Sequence, residues 1–261
     1  MTTLSKILNK HLNPCEKERL EKENKENRET YVSAVLVCAG NSTRMGLEKS
    51  KQFIEILNRP AVFYTLSAFE NALSVNEVVI VCRECDKMQF QSIVAQYNFS
   101  KVTCITNGGE TRSVSVKNGI KETSEKATHI AVHDGARCLI TTEEIEKVVL
   151  SGILTGASAL GVPVKDTIKV VNSDNTIKDT PDRSTLRAIQ TPQVFHKEKY
   201  LKFLAMAESD AVDFTDDCKL FEYCGQTVTV VEGLYTNIKL TTQDDILVAK
   251  SILESRGVNC E

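Results

Sequence analysis

Two cations stand beside a small-residue loop early in this chain. The segment Val35-Leu-Val-Cys-Ala-Gly-Asn-Ser-Thr-Arg-Met-Gly46 reads as an apolar strand running into a loop, with Arg44 inside it and Lys51 seven positions on. A loop that leaves a strand and opens a helix presents backbone N–H groups on which a phosphate can rest. With glycine at Gly40 and Gly46 and a cation on each flank, the pattern outlines a grip for a nucleoside triphosphate. It is not a P-loop, because Gly-x-x-x-x-Gly-Lys-Ser/Thr is absent. Nor is it a dinucleotide fingerprint, since Ser42 and Thr43 stand where glycines are needed.

Further constellations follow along the chain. Gly108-Gly-Glu-Thr-Arg112-Ser-Val-Ser115-Val-Lys-Asn118-Gly119 feeds a glycine pair into a helix that begins with Arg and hydroxyl residues. The apolar run from His129 ends in His133-Asp134-Gly135-Ala136-Arg137. In open parallel sheets the ligand crevice lies beyond the carboxyl ends of the strands. An Asp there can bind a divalent cation, position a hydroxyl or hold an Arg, and His133 is expected to pack beneath it. Asp166-Thr167, Arg183, Gln190-Thr-Pro-Gln193, Thr215-Asp216-Asp217 and Asn237-Ile-Lys239-Leu-Thr241 complete the polar groups. The plain reading of Lys239 is a solvated lysine on an apolar strand.

The elements that must position these residues alternate. Strand-like runs fall at Val32–Cys38, Glu77–Cys82, Val102–Ile105, His129–His133, Ala157–Val162, Val228–Val231 and Ile238–Leu240. Helical patterns fall between them at Val62–Ala72, Lys87–Tyr97, Ser113–Lys121, Glu143–Leu154, Lys199–Ala207, Asp216–Tyr223 and Asp244–Glu254. Thr141 with Glu144, and Thr242 with Asp245, carry capping signals. Near-continuous apolar strands between amphipathic helices predict an α/β fold with a mainly parallel sheet covered on both faces. Thr167–Val171 and Thr176–Asp179 break this rhythm as a hairpin around a polar turn, a small arm expected to pack on a second subunit.

Composition narrows the class. At 261 residues the chain suits one domain with a small appendage, and 41% hydrophobic residues supply a core. A net charge of −3 leaves no electrostatic footprint for nucleic acid or an anionic membrane. No apolar run reaches the roughly 20 residues of a membrane span, and no signal-peptide core is present. Nine scattered cysteines suit a reducing, cytoplasmic setting, with Cys82-x-x-Cys85 read as a strand end. Residues 1–30 form a charged extension, helical or disordered. The folded unit is expected over 31–256, with the arm at about 164–187 and a tail at 257–261.

Taken in order, Ala39-Gly40…Arg44-Met45-Gly46…Lys51-Gln52, Gly109…Arg112…Ser115-Val116…Asn118-Gly119, His133-Asp134…Ala136-Arg137, Asp166-Thr167-Ile168-Lys169, Thr191-Pro-Gln193…Phe195, Thr215-Asp216 and Asn237…Lys239…Thr241 resemble the 2-C-methyl-D-erythritol 4-phosphate cytidylyltransferases of the non-mevalonate isoprenoid pathway. The resemblance covers about Val32 to Arg256. It implies a Rossmann-like nucleotidyltransferase fold, a homodimer joined through the β arm, and an enzyme that joins CTP to methylerythritol phosphate with Mg2+, releasing pyrophosphate. By match, Arg44 and Lys51 bind the triphosphate and stabilise the transition state, while Arg183 and Lys239 position the acceptor phosphate. Asp134, Arg137 and Thr167 line the acceptor pocket, with Thr167 and Arg183 reaching over from the partner's arm. Ala39, Gly40 and the segment Gly108–Ser115, including Arg112, hold the cytosine and ribose. Thr215 joins the substrate contacts, and Asp134 is the candidate metal ligand.

The chain departs from the family pattern at Ser42 for Gly, at Ser50 for Pro, and at Gly135 and Cys138 within the family's His-Asp-Ala-Ala-Arg-Pro. Other readings are a cytidylyltransferase for a polyol phosphate such as ribitol 5-phosphate, and a non-catalytic nucleotide-binding homologue.

Overall fold

The computed structural model describes residues 30–40, 50–212, 214 and 216–258. The predicted extension over residues 1–30, Arg44, Ser42 and Thr215 thus lie outside the described residues, apart from Thr30.

Among the described residues, seven strands form the central sheet in the order β11-β7-β10-β6-β1-β4-β5. They are β1 (Val32–Val37), β4 (Glu77–Cys82), β5 (Val102–Asn107), β6 (His129–Asp134), β7 (Ala157–Pro163), β10 (Arg187–His196) and β11 (Thr229–Glu232). β1 runs parallel to both β4 and β6, β5 to β4, and β11 to β7; β10 alone is antiparallel to its neighbours β6 and β7. The chain moves outward from β1 through β4 to β5, then returns on the other side of β1 as β6. That reversal of order is a topological switch point, where the carboxyl ends of neighbouring strands splay helices apart and open a crevice.

Side chains of β1 alternate between two cores. Val32, Ala34 and Leu36 meet Val62, Leu66 and Phe69 of α1 (Ala61–Asn71), Phe90 and Ile93 of α2 (Lys87–Tyr97), and Ile145, Val148 and Val149 of α4 (Thr142–Thr155). Val35 faces the opposite layer with Val116 and Ile120 of α3 (Arg112–Lys121), Tyr200, Phe203 and Leu204 of α5 (Lys197–Ser209), and Leu220 and Phe221 of α6 (Asp217–Tyr223). This is why the strand sequence is apolar throughout: both faces are covered. α7 (Asp244–Ser255) packs through Ala249 and Leu253 on a third cluster with Cys138, Leu139 and Leu240.

Local chemistry sets several boundaries. Thr141 and Glu144 form a capping box at the start of α4, and Gly156 ends that helix at φ 84°. At α7 the predicted Thr242 cap is reversed: Asp245 accepts the Thr241 and Thr242 N–H groups at 2.7 Å each, and the Thr241 hydroxyl. β2 (Glu55–Ile56) and β3 (Arg59–Pro60) form a tight hairpin, with Leu57 and Asn58 both at positive φ.

The arm is observed as β8 (Val170–Val171) and β9 (Ile177–Asp179), paired antiparallel. Its turn is held by Asp174, whose carboxylate accepts the Thr176 N–H and hydroxyl. Two readings differ from the sequence. The motif Gln190-Thr-Pro-Gln193 lies within β10, where Pro192 interrupts the strand pattern and is accommodated at a register shift between Ile189 and Gln193; the Thr191–Pro192 peptide is cis. The predicted strand Ile238–Leu240 is not a strand, because its backbone is tied instead to the loop after β6, Leu240 N–H to Ala136 O at 2.8 Å.

Candidate active site

The site gathers around the carboxyl ends of β1 and β6, where Val37 pairs with Asp134. Asp134 is 9% exposed and meets two cations from distant segments. Lys239 Nζ lies 2.5 Å from Oδ2, and Arg112 Nε 3.2 Å from Oδ1. Burial by itself raises the pKa of a carboxyl; here Arg112 and Lys239 overcome that and hold Asp134 well below the usual carboxylate range. Lys239 is therefore not a bystander on a solvated strand face. Its segment is pinned on one side by Leu240 to Ala136 and on the other by Arg137 Nη1, which donates to Asn237 O at 2.8 Å. Asn237, fully buried, donates to Thr191 O.

Lys51 enters from a single turn of 3-10 helix, Lys51–Phe53, anchored by Phe53 against Phe90 with ring centroids 4.9 Å apart. Its Nζ donates to Leu240 O at 3.2 Å, next in sequence to Lys239. The two predicted catalytic lysines thus converge through one peptide segment. Ser50, the departure from proline, is buried with its hydroxyl on Gln52, so a side-chain bond holds this turn where a ring is expected.

A second pocket wall forms where Ala39 meets Gly108. A Cβ on Gly108 would fall 2.3 Å from Ala39 Cβ, so only glycine permits this approach. Ser115 Oγ accepts the Gly109 N–H at 3.0 Å and donates to Thr111 O at 2.9 Å, which fixes the glycine pair on the first turn of α3. The same helix is drawn tight to the sheet by Gly119, whose missing side chain makes room for Val35 and Val81. Ala39, Gly108, Arg112 and Ser115 are accordingly one surface.

His133 is buried beneath the site, with Nδ1 3.0 Å from Thr191 Oγ1 and Nε2 3.2 Å from Arg137 O. Burial pushes its pKa down to about 4, so it is neutral near pH 7. Arg137 is desolvated, and its Nε has no hydrogen-bond partner among the described residues. Gly135 explains itself sterically: a Cβ there would lie 2.3 Å from Cys38 Sγ. Cys138 fills an apolar slot with Ile56, Leu57 and Ala61.

Thr167 and Arg183 are exposed on the arm, where Arg183 Nη1 donates to Lys165 O at 3.0 Å. No hydrogen bond or ion pair joins either to the Asp134 cluster among the described residues. The metal expectation for Asp134 meets a different donor set. Both of its oxygens face cations, and among the described residues no group of three or more His, Cys, Asp or Glu side chains could hold an ion. A protein-held metal cage does not fit these residues. Sequence reasoning missed two participants: Asp217, which takes Arg112 Nη1 at 2.7 Å, and Tyr200, whose hydroxyl donates to Asp217 at 2.7 Å. Asp217 had a signal in its motif, but Tyr200 reads as an ordinary apolar position of α5.

Arg112 and Lys239 pair with the carboxylates Asp134 and Asp217, and Lys51 and Arg137 bond the backbone of the Asn237–Leu240 segment, so four cations stand against two carboxylates, a positive excess suited to a polyphosphate ligand. The seven described cysteines are all free thiols, and among the described residues no helix is long and apolar enough to cross a membrane.

The family model of 2-C-methyl-D-erythritol 4-phosphate cytidylyltransferase matches residues 32–255. Proteins of that name from Caldanaerobacter subterraneus subsp. tengcongensis and Alkaliphilus metalliredigens are 43% and 41% identical, over 85% and 88% of this chain and 98% and 97% of their own. The crystal structure of 4-diphosphocytidyl-2C-methyl-D-erythritol synthase from Anaerococcus prevotii superposes with a TM-score of 0.76 at 28% identity, covering 86% of this chain and 99% of that one. The cationic site at the switch point of a mainly parallel sheet, in a chain matched along nearly its whole folded length, identifies the protein as a member of the 2-C-methyl-D-erythritol 4-phosphate cytidylyltransferase family.

Proposed function

We propose that the protein transfers the cytidylyl group of CTP to 2-C-methyl-D-erythritol 4-phosphate, giving 4-diphosphocytidyl-2-C-methyl-D-erythritol and pyrophosphate. The observation that carries this reading is the convergence of Lys51 and Lys239 on the Leu240 segment, facing Asp134 and Arg112 at the ends of β1 and β6. The acceptor's phosphate oxygen attacks the α-phosphorus of CTP, a new P–O bond forms, and the bond to the bridging oxygen of the β-phosphate breaks. The leaving pyrophosphate carries away that electron pair.

An acceptor that brings its own ionised oxygen needs no general base, which agrees with His133 being buried and neutral. The protein's work is positioning and charge neutralisation. Lys51, with Arg44 from outside the described residues, is assigned to the triphosphate. Lys239 and Arg137 are assigned to the acceptor side with Asp134, and Ala39, Gly40, Gly108, Arg112 and Ser115 to the nucleoside. Thr215 is assigned to substrate contact on its place in the matched motif. Mg2+ is proposed to arrive with CTP, whose phosphate oxygens supply most of its coordination.

A homodimer through the arm is proposed on its apolar surface. Ile168, Val170, Val171 and Ile177 are all exposed, Ile177 by 63%, on a hairpin too small to bury them itself. Arg183 and Thr167 would then serve the partner's site. A cytoplasmic location is proposed on the free thiols. Pyrophosphate release from CTP with methylerythritol phosphate, run with and without Mg2+, tests the reading.

A further inference from the structure

We infer that Asp217, backed by Tyr200, is a positioning residue for the transfer reaction: it clamps Arg112 so that Arg112 and Lys239 can share Asp134. The inference rests on the cytidylyl-transfer reading above. Asp217 stands in the first turn of α6 and is 4% exposed, and Tyr200, on α5, is 2% exposed. A first-turn acid that only complements a helix dipole needs neither burial nor a directed partner. This carboxylate has both, one oxygen on Arg112 Nη1 and the other on the Tyr200 hydroxyl, each at 2.7 Å.

The consequence lies in the shape of guanidinium. Its donors sit in a rigid planar fork, so fixing Nε on Asp134 and Nη1 on Asp217 fixes the whole plane. Nη2 is left without a partner among the described residues. Without Asp217, Arg112 would pivot about Asp134 and compete with Lys239 for the one carboxylate left. The signal would reach both substrates: the nucleoside wall through Arg112, the acceptor side through Lys239.

The test is a double-mutant cycle on the full chain, reading kcat/KM for CTP. Asp217→Asn should lower it by about 100-fold, the usual scale for a displaced catalytic group. Tyr200→Phe keeps the ring tilted against Phe195 and Phe221 and should lower it by about tenfold. In an Arg112→Lys background both losses should largely vanish, because an ammonium has no planar fork for the clamp to orient; a merely structural role would multiply through unchanged. Should Asp217→Asn fail to melt cooperatively, Tyr200→Phe with Arg112→Lys decides the matter. Variants within about twofold of wild type, or losses that multiply in the Arg112→Lys background, overturn the inference. Wild-type turnover separates the two failures. No product from wild type refutes the functional reading and this inference with it, whereas wild-type product with unimpaired variants refutes the inference alone.

Discussion

Gly135→Ala isolates the contact that lets this chain carry cysteine at position 38. The added Cβ would lie 2.3 Å from Cys38 Sγ, about 1 Å short of ordinary contact, and 3.3 Å from Val37 O. Gly135 has no left-handed backbone to defend, so the whole penalty is steric. Cys38 is fully buried, so its sulfur has little room and the loop between Asp134 and Arg137 must give. Overpacking of this kind costs typically about 1–3 kcal/mol. In a chain of this size about 2 kcal/mol lowers the melting temperature by roughly 4–8 °C. Because the displaced loop carries Asp134 and Arg137, kcat/KM should fall by up to about 100-fold. Cys38→Ala removes the clashing sulfur, and the double variant should recover most of both losses relative to Gly135→Ala, with a coupling of about 1–2 kcal/mol. Thermal melts and steady-state kinetics on the four proteins measure this. A Gly135→Ala protein as stable as wild type, or one that Cys38→Ala does not relieve, refutes the packing argument.

Lys51→Ala should lower kcat by about two to three orders of magnitude, the scale of losing one directed charge in a transition state, with the melting temperature little changed; near-normal turnover would remove Lys51 from the catalytic set. Stability should fall with acid through His133. Burial lowers its folded pKa to about 4 from 6.5, so its contribution is complete above pH 6.5 and is lost as pH falls from there towards 4. Around pH 5 the loss from this one group is about 2 kcal/mol. Because burial also lowers His129 to about 4, the His133 share is the difference between wild type and His133→Gln in denaturant titrations at about pH 7.5 and pH 5; a variant with the wild-type slope would show that His133 does not titrate as described.

Much of this site was legible because its parts are local. α2 lies where the apolar period placed it, Lys87–Tyr97, and Thr141 with Glu144 form the expected capping box. The glycine pair before Arg112 read as the lead into a polar helix start, and Gly109 N–H on Ser115 Oγ fits that reading; the close approach of Gly108 to Ala39 was not legible. What escaped depends on contacts between distant segments. The Lys239–Asp134 pair joins residues 105 positions apart, and an apolar run around a lysine reads locally as a strand. Backbone bonds to Ala136 outweigh that local preference, so Ile238–Leu240 is not a strand. β10 was hidden because Pro192 is a poor strand former, tolerated here only at a bulge. Tyr200 carried no polar signal, since its hydroxyl finds Asp217 only once α5 and α6 pack together.

The acceptor is the substrate on which the proposed activity turns. CTP turnover measured with 2-C-methyl-D-erythritol 4-phosphate beside ribitol 5-phosphate, in the presence and absence of Mg2+, tests it most directly. The predicted result is Mg2+-dependent pyrophosphate release and a cytidylylated product with methylerythritol phosphate, far faster than with ribitol phosphate. Preference for ribitol phosphate would contradict the assigned acceptor, and nucleotide binding with no turnover on either would contradict catalysis itself.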